Sequence, residues 1–495
     1  MKTLLFSNQG LSPIHLGIEL EVIQKEIDQG NKVHILYCKS NLQSCFFNPT
    51  HNILACAICE GRMHKFYKEL GIPKSNFTPL KTTKTIFDLP KIEELDDIFE
   101  IKYKGYDIGR GIASNYISVT RDYKIDQTML PLIKEMAVMS IQVIENIESQ
   151  ISIHQPQKVI LFNGRFAEVH AIIQVCIKHK IDYYTFERSS ALGKYKYFKN
   201  MLPHSLSNRK DEMEQHWAKG IALGKEKEMI LISENWFNQR ITKKAENLKA
   251  FFKHQKNGQL PSNFNSSKNN IAIFITSEDE HRGIKEHDFA HYRNQNEAIK
   301  KILIHFQQNS NIHFYLRVHP NLKGLQSIQV KEINNLNYSN LTVIPANSEI
   351  DSYCLIQNCN KSLSFGSTTG IEATYLKSVS ISFGTSYYNS LPCCYYPSNY
   401  NQLFALLENS ELKPLPIEST YKFGYYQSTI GYPIKQVINK EKISKRVFPQ
   451  TFWILFSNIK YVNLWRTLTK IIFKESINFS NIFKLNSHKL NDKLN

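Results

Sequence analysis

The chain has 495 residues, 42% hydrophobic and 21% charged, ordinary proportions for a globular protein. That length exceeds what one core usually supports, so two domains and an appendage are expected. No window reaches about 18 consecutive apolar residues, which excludes a transmembrane helix readable from hydropathy. Nine cysteines, an odd count, and no secretory-signal pattern argue against a disulfide framework and for reduced cytosolic thiols. The net charge of +17 suits an anionic partner such as a nucleotide, an anionic glycan, nucleic acid or the inner membrane leaflet. A lysine-rich solvated surface explains the charge equally well.

The first 40 residues read as a strand–helix–strand unit. Thr3–Ser7 is a short apolar strand. His15–Gln29 carries Leu16, Leu20, Ile23 and Ile27 at helical spacing and stops at Gly30. Lys32–Cys38 is the next strand, so the sheet is parallel with a crossover helix. A long helix is expected over 131–150, a strand over Lys158–Phe162, a helix over Ala167–Lys178 and a strand over Ile181–Phe186. Residues 255–270, rich in Asn, Ser, Gly and Pro, read as an interdomain linker. The alternation then resumes. Strands are expected at Asn270–Thr276, Ile312–Val318, Leu341–Ile344, Leu363–Phe365 and Ser380–Phe383. Helices are expected at Asn294–Gln307, Asp351–Gln357 and Ile371–Lys377. From Lys440 the chain turns basic and aromatic; Val447–Phe473 fits an interfacial helix on anionic lipid, or a helix packed on the body. No nucleic-acid-binding module is recognisable, so no nucleic acid is expected as a partner.

Functional groups in such sheets gather at the carboxyl ends of the strands. There, Gly366-Ser367-Thr368-Thr369-Gly370 marks a strand-to-helix turn, where glycines admit a bulky anion and hydroxyls donate to it. Thr369-x-x-Glu372 also fits a capping box that merely satisfies the helix end. Arg317 and His319 follow a buried-type strand and are candidate phosphate donors, or a surface arginine and a structural histidine. His15 and Glu19 lie one helical turn apart at the mouth of the N-terminal sheet, and either is a candidate general base; a helix-end electrostatic role is the alternative. Asn163, Gly164, Arg165 and Glu187 sit at two strand ends of the N-terminal half. Cys38, Cys45, Cys56 and Cys59 fall within 22 residues, a loose spacing for a structural zinc site, with His51 and His64 as spare ligands. Cysteine is also a common core residue.

RVHPN at 317–321, followed by SFGSTTGIEATYLKSVSISFG at 364–384, resembles the C-terminal domain of bacterial capsule and surface-polysaccharide biosynthesis proteins. These are related to GT-B glycosyltransferases and to Kdo-transferase-like capsule proteins. HLGIELEVIQKEIDQGNKVHILYC, NPTHNILACAIC, LFNGRFAEVHAI and FERSS are similar to the N-terminal half of the same kind of protein. The resemblance covers about the first 400 of the 495 residues, and Gly366–Glu372 is its most specific part. It implies an α/β, GT-B-like fold: two Rossmann-like doubly wound domains facing a cleft, plus a C-terminal helical extension. The expected parts are an acceptor domain at 1–254, the linker at 255–270, a nucleotide-sugar-binding domain at 271–425 and a basic aromatic extension at 426–495. It implies that Gly366, Ser367, Thr368 and Thr369 face the donor phosphates, with Gly370 beside them. Glu372 would reach the ribose or sugar, and Arg317 and His319 the phosphate. Asn163, Gly164, Arg165 and Glu187 would line the acceptor side. Val379 stands where the family often has Pro, a matter of packing.

The expected function is transfer of a sugar from a nucleotide-sugar donor to a growing capsular or surface glycan, free or lipid-linked. The catalyst would be cytoplasmic, peripheral on the inner face of the cytoplasmic membrane through its C-terminal extension. No D-x-D motif is obvious, in keeping with catalysis that needs no metal cofactor. A sugar-nucleotide epimerase on the same architecture is the first alternative. A non-catalytic scaffold of a polysaccharide assembly complex is the second.

Overall fold

The structure, a computed structural model, describes residues 1–49, 51–83, 85–245, 251, 254–289 and 291–435. Of the expected extension, residues 436–495 lie outside this range. The chain divides into two compact units. Among the described residues, the first holds Met1–Ser189, Gly193–His204 and residues 431–435; the second holds Ser190–Leu192 and Ser205–Ile430.

The strands of the first unit are β1 (Lys2–Ser7), β2 (Lys32–Tyr37), β3 (Phe77–Pro79), a small ribbon of β4 (Lys102–Tyr103) and β5 (Tyr106–Asp107), β6 (Lys158–Phe162), β7 (Asp182–Arg188) and β8 (Lys194–Lys199). With β14 (Tyr432–Pro433), its main sheet runs β14-β8-β7-β6-β1-β2-β3. β1 pairs in parallel with β2 and β6, and β6 with β7, while β8 and β14 add an antiparallel edge. Leu4, Leu5 and Phe6 of β1 and all of β6 are buried, as continuous apolar strands covered on both faces must be. The helices are α1 (Pro13–Asp28), α2 (Ile53–Glu69), α3 (Leu95–Phe99), α4 (Gly109–Thr120), α5 (Leu130–His154) and α6 (Ala167–His179). α1 opens with Pro at its first position, where no N–H is needed. A buried ion pair, Lys158 Nζ to Glu26 Oε2 at 2.7 Å, ties the start of β6 to the end of α1.

The second unit's sheet is β11-β10-β9-β12-β13, all parallel. Its strands are β9 (Asn269–Phe274), β10 (Ile312–Arg317), β11 (Leu341–Ile344), β12 (Lys361–Ser364) and β13 (Val379–Ser382). The helices are α7 (Ser207–Ala222), α8 (Glu226–Ile241), α9 (Gln295–Phe306), α10 (Ile328–Asn334), α11 (Ser352–Asn358), α12 (Thr369–Tyr375), α13 (Tyr400–Glu408) and α14 (Tyr421–Thr429). Both sheets have the doubly wound order in which the first strand lies between the second and a later one. In each, the chain reverses direction across the sheet beside the first strand, and ligands of such sheets bind outside the carboxyl ends there.

Residues 207–241, expected in the first domain, pack in the second unit. Met213 of α7 and Phe237 of α8 share a core with Leu391, Phe423 and Tyr426. The expected linker is also bonded within the second unit: Gly258 N donates to Asp351 Oδ2 at 3.0 Å and Asp351 N to Gln259 O at 2.9 Å.

Candidate functional site

In the first unit the reversal lies between β1 and β6, and three chain segments converge there. The loop after β1 delivers Ser12 and, at the start of α1, His15. The turn after β6 delivers Asn163, and the end of β7 delivers Glu187. Asn163 and Gly164 both take the left-handed backbone conformation, with φ of 58° and 87°. A Cβ at Gly164 would also come within 2.7 Å of the Ile173 Cδ1 and Leu202 Cδ2 methyls, side-chain ends that can shift, so the left-handed backbone is what favours glycine there. The turn aims the Asn163 amide at Glu187 Oε2, 2.7 Å away. His15 Nε2 stands 3.3 Å from Glu187 Oε1, and His15 Nδ1 is 2.8 Å from Ser12 Oγ. Burial raises the Glu187 carboxyl, but the hydrogen bond and charge of His15, with Asn163 and the charge of His204, outweigh it and bring it down to about 2. The imidazole packs against Phe162, with ring centroids 4.5 Å apart. Arg165 turns elsewhere, its guanidinium 4.5 Å over the Phe166 ring.

Glu19 lies one turn further along α1 and is wholly buried. Ser7 Oγ donates to its Oε1 at 2.9 Å, Tyr67 O–H donates to the same oxygen, and Gln9 Nε2 donates to Oε2. Burial pushes its carboxyl up to about 8 despite these donors. Burial thus favours its neutral form, and its partners seal it from solvent. The structure brings His15 together with Asn163 and Glu187, and places Glu19 apart from them.

In the second unit the reversal lies between β9 and β12, and the Gly366–Gly370 turn follows β12. Gly366 has φ +89°, and a Cβ there would collide with the Thr385 carbonyl oxygen. Ser364 Oγ and Tyr388 O–H both donate to the Ser367 carbonyl oxygen, at 3.0 and 2.5 Å. Thr369 N–H and Oγ1 lean on Ser367 Oγ, at 3.3 and 2.9 Å. The turn is thus held from below by its own strand and by Tyr388. Thr368 stands at the cap position of α12, but its side chain makes no cap bond, and the expected capping box does not form. Glu372 instead receives Arg240 Nε at 2.6 Å and Tyr353 O–H at 3.1 Å, while Arg240 Nη2 also reaches Thr368 Oγ1 at 2.9 Å.

Arg317, at the end of β10, is buried and spends its Nη atoms on the Pro345 and Ser348 carbonyls, at 3.0 and 3.2 Å. Burial lowers its guanidinium to about 10. His319 Nδ1 accepts from Asn321 N at 3.2 Å and stiffens the turn after β10. A further acid sits on the loop after β9. Glu278 is 3% exposed, and burial lifts its carboxyl to about 7. Its Oε1 takes the Gln295 backbone N–H at 2.5 Å, while Oε2 has no hydrogen-bond partner among the described residues. Sequence reasoning missed Ser12, Arg240 and Glu278. Ser12 carried a readable signal, a serine before proline at a helix start; the other two depend on distant packing.

Of the four clustered cysteines, Cys38 directly follows β2 and Cys45 lies in the loop after it. Among the described residues no group of three or more His, Cys, Asp or Glu side chains is placed to hold a metal. Cys56 and Cys59 lie on α2, where Cys56 Sγ accepts from Asn48 Nδ2 at 3.2 Å and Cys59 Sγ meets the Asn8 carbonyl at 3.5 Å. Burial raises the thiols of Cys38 and Cys59 to about 11 and 12, and that of Cys45 well above the ordinary range. Among the described residues no helix is long and apolar enough to cross a membrane.

No family model matches the chain, and no curated protein matches it. Solved structures with a similar arrangement include three enzymes. One is the Thermosulfurimonas dismutans KpsC β-Kdo 2,7 transferase, with TM-score 0.31 and 11% identity over 60% of this chain and 89% of that one. Another is the UDP-GlcNAc 2-epimerase of Methanocaldococcus jannaschii, with TM-score 0.27 and 12% identity over 89% and 99% of the two chains. A glycosyltransferase of kitacinnamycin gives TM-score 0.24 and 8% identity over 90% and 98%. Likeness at this level assigns no activity to the chain, and the α/β class of each unit rests on its own strand order.

Proposed function

We propose that the chain is a glycosyltransferase that moves a sugar from a nucleotide-sugar donor to a hydroxyl of a capsular or surface glycan, without a metal cofactor. The observation that carries this reading is His15, held by Glu187, which Asn163 in turn holds, where the strand order of the first sheet reverses. An imidazole backed by a carboxylate is suited to take a proton from a sugar hydroxyl. The role of base goes to His15 and not to Glu19, because a carboxyl sealed among its partners does not reach an acceptor. Asn163 and Glu187 act as positioning residues.

The donor site is proposed in the second unit, at the turn Gly366–Gly370. Ser367 and Thr369 are partly exposed, and their hydroxyls are the donors proposed for a phosphate, while Gly366 lets the turn close against the Thr385 carbonyl. Arg317 adds positive charge near a departing phosphate more than it adds a clamp, since both of its Nη atoms already donate to carbonyls. Glu372 acts through Arg240, as a prop for the turn at Thr368. A glycan or lipid-linked glycan acceptor, and action at the inner face of the cytoplasmic membrane, complete the reading.

The test is donor consumption. Purified protein is incubated with UDP-, GDP-, CMP- and dTDP-sugars, with and without a glycan acceptor, and free nucleotide is measured. Nucleotide release that needs acceptor, and falls about 10²–10⁴-fold in kcat with KM little changed in His15→Ala, is expected. Conversion of the donor to an isomeric nucleotide-sugar with no acceptor would replace this reading with epimerase chemistry. Bound donor with no turnover would replace it with a scaffold role.

A further inference from the structure

We propose that Ser12 is a catalytic residue: a Ser12–His15–Glu187 relay in which the serine hydroxyl meets the acceptor and passes a proton to His15. The identity of the acceptor rests on the function proposed above; the activation of the serine does not.

The argument starts from what each atom can donate. Glu187 is a carboxylate and only accepts hydrogen bonds. The imidazole nitrogen facing it, Nε2, therefore carries the hydrogen, at 3.3 Å from Oε1. In a neutral imidazole the other nitrogen, Nδ1, then has the lone pair. In that neutral form Ser12 Oγ, 2.8 Å from Nδ1, is the donor. The orientation is fixed from behind, because Glu187 also accepts Asn163 Nδ2 at 2.7 Å and Arg188 N at 2.8 Å.

Ser12 is also misplaced for a purely structural role. Its φ and ψ of −108° and 101° are those of a helix N-cap, at the head of a 16-residue helix. A serine there ordinarily accepts a backbone N–H of the first turn. Ser12 accepts none with its side chain. The hydroxyl is turned onto the ring instead.

Both nitrogens of His15 are engaged, so an acceptor reaching the imidazole directly must displace one partner. Ser12 is a partly exposed residue, and its hydroxyl, donating to the ring, keeps its lone pairs for an incoming hydroxyl. The step balances. The acceptor O–H proton moves to Ser12 Oγ as the Ser12 proton moves to Nδ1. The acceptor oxygen bonds the sugar's anomeric carbon, and the bond from that carbon to the phosphate oxygen breaks, its electron pair leaving with the nucleotide. The resulting imidazolium is stabilised by Glu187.

A fluorophosphonate probe tests this on the full chain without knowledge of donor or acceptor. An activated serine oxygen bonds phosphorus, fluoride leaves, and the serine proton goes to His15. Peptide mass spectrometry should place a single adduct on Ser12. Its rate should fall about a hundredfold in His15→Ala and measurably in Glu187→Gln, a change that keeps the side-chain shape. Thermal melting checks the fold of each variant, and Ser12→Ala should melt within about 2 °C of the parent because no cap bond is lost. No adduct on Ser12, or labelling equally fast in folded His15→Ala and Glu187→Gln, overturns the relay. Labelled Ser12 in a protein that consumes no nucleotide-sugar would sink the glycosyl-transfer reading and leave the activated serine standing. Turnover lost in His15→Ala but intact in Ser12→Ala would do the reverse.

Discussion

Glu19 and His15 are four residues apart on one helix, yet the fold gives them opposite chemistry. His15 faces the end of β7 and gains a charged partner, whereas Glu19 faces Ser7, Gln9 and Tyr67 and loses solvent. The spacing of the two residues was legible in the sequence, since residues one turn apart share a helix face. The burial of Glu19 was not, because Tyr67 arrives on a helix whose apolar pattern is interrupted by cysteines and charges. The consequence for pH can be measured. A folded value near 8 stands above the ordinary 4.5, so the folded chain holds a proton that the unfolded chain releases across that window. The stabilisation from this group is complete below pH 4.5 and is lost as pH rises through 8. Glu19→Gln mimics the protonated acid. Thermal melts from pH 5 to 8.5 should show a shallower decline for Glu19→Gln than for the parent; identical slopes would mean that Glu19 is not the group responsible.

Two short elements shape the second unit's turn, and each makes a separate prediction. Arg240 on α8 pairs with the buried Glu372 on α12 and reaches Thr368, with its guanidinium 4.5 Å over the Trp236 ring. Arg240→Met would leave Glu372 buried with Tyr353 alone. That loss should cost about 3–5 kcal/mol in denaturant unfolding, as removal of one partner of a buried pair does. A cost below about 1 kcal/mol, the range of an exposed pair, would mean the pair is solvated. Gly366→Ala forces a side chain into a left-handed position against the Thr385 carbonyl, and should destabilise by at least about 1 kcal/mol. The glycine itself was readable as a tight strand-to-helix turn. The fate of Glu372 was not, since its three-residue spacing from Thr369 matches a capping box and nothing local announces Arg240, more than a hundred residues earlier.

At the scale of the molecule, nine expected strands appear within two residues of their expected limits, from Thr3–Ser7 to Ser380–Phe383. Buried parallel strands such as KVILF are continuous apolar runs, and the helices between them carry a clear 3.6-residue period. The unit boundary was less legible. A polar, Pro- and Gly-bearing stretch looks like a linker whether it spans two bodies or, as at 255–270, lies bonded along one of them. α7 and α8 are so polar that their few core contacts, Met213, Met229 and Phe237, give no strong sign of which sheet they serve.

The central claim is that the second unit holds a nucleotide-sugar at the turn after β12. The most direct test is thermal melting of the purified protein with UDP-, GDP-, CMP- and dTDP-sugars, since a ligand that binds only the native state raises the melting temperature. The account predicts a rise with one nucleotide class that disappears in the double variant Ser367→Ala, Thr369→Ala, with the unliganded melt of the variant read first to show that it is folded. An equal rise in parent and variant, or no rise with any of the four, would contradict it.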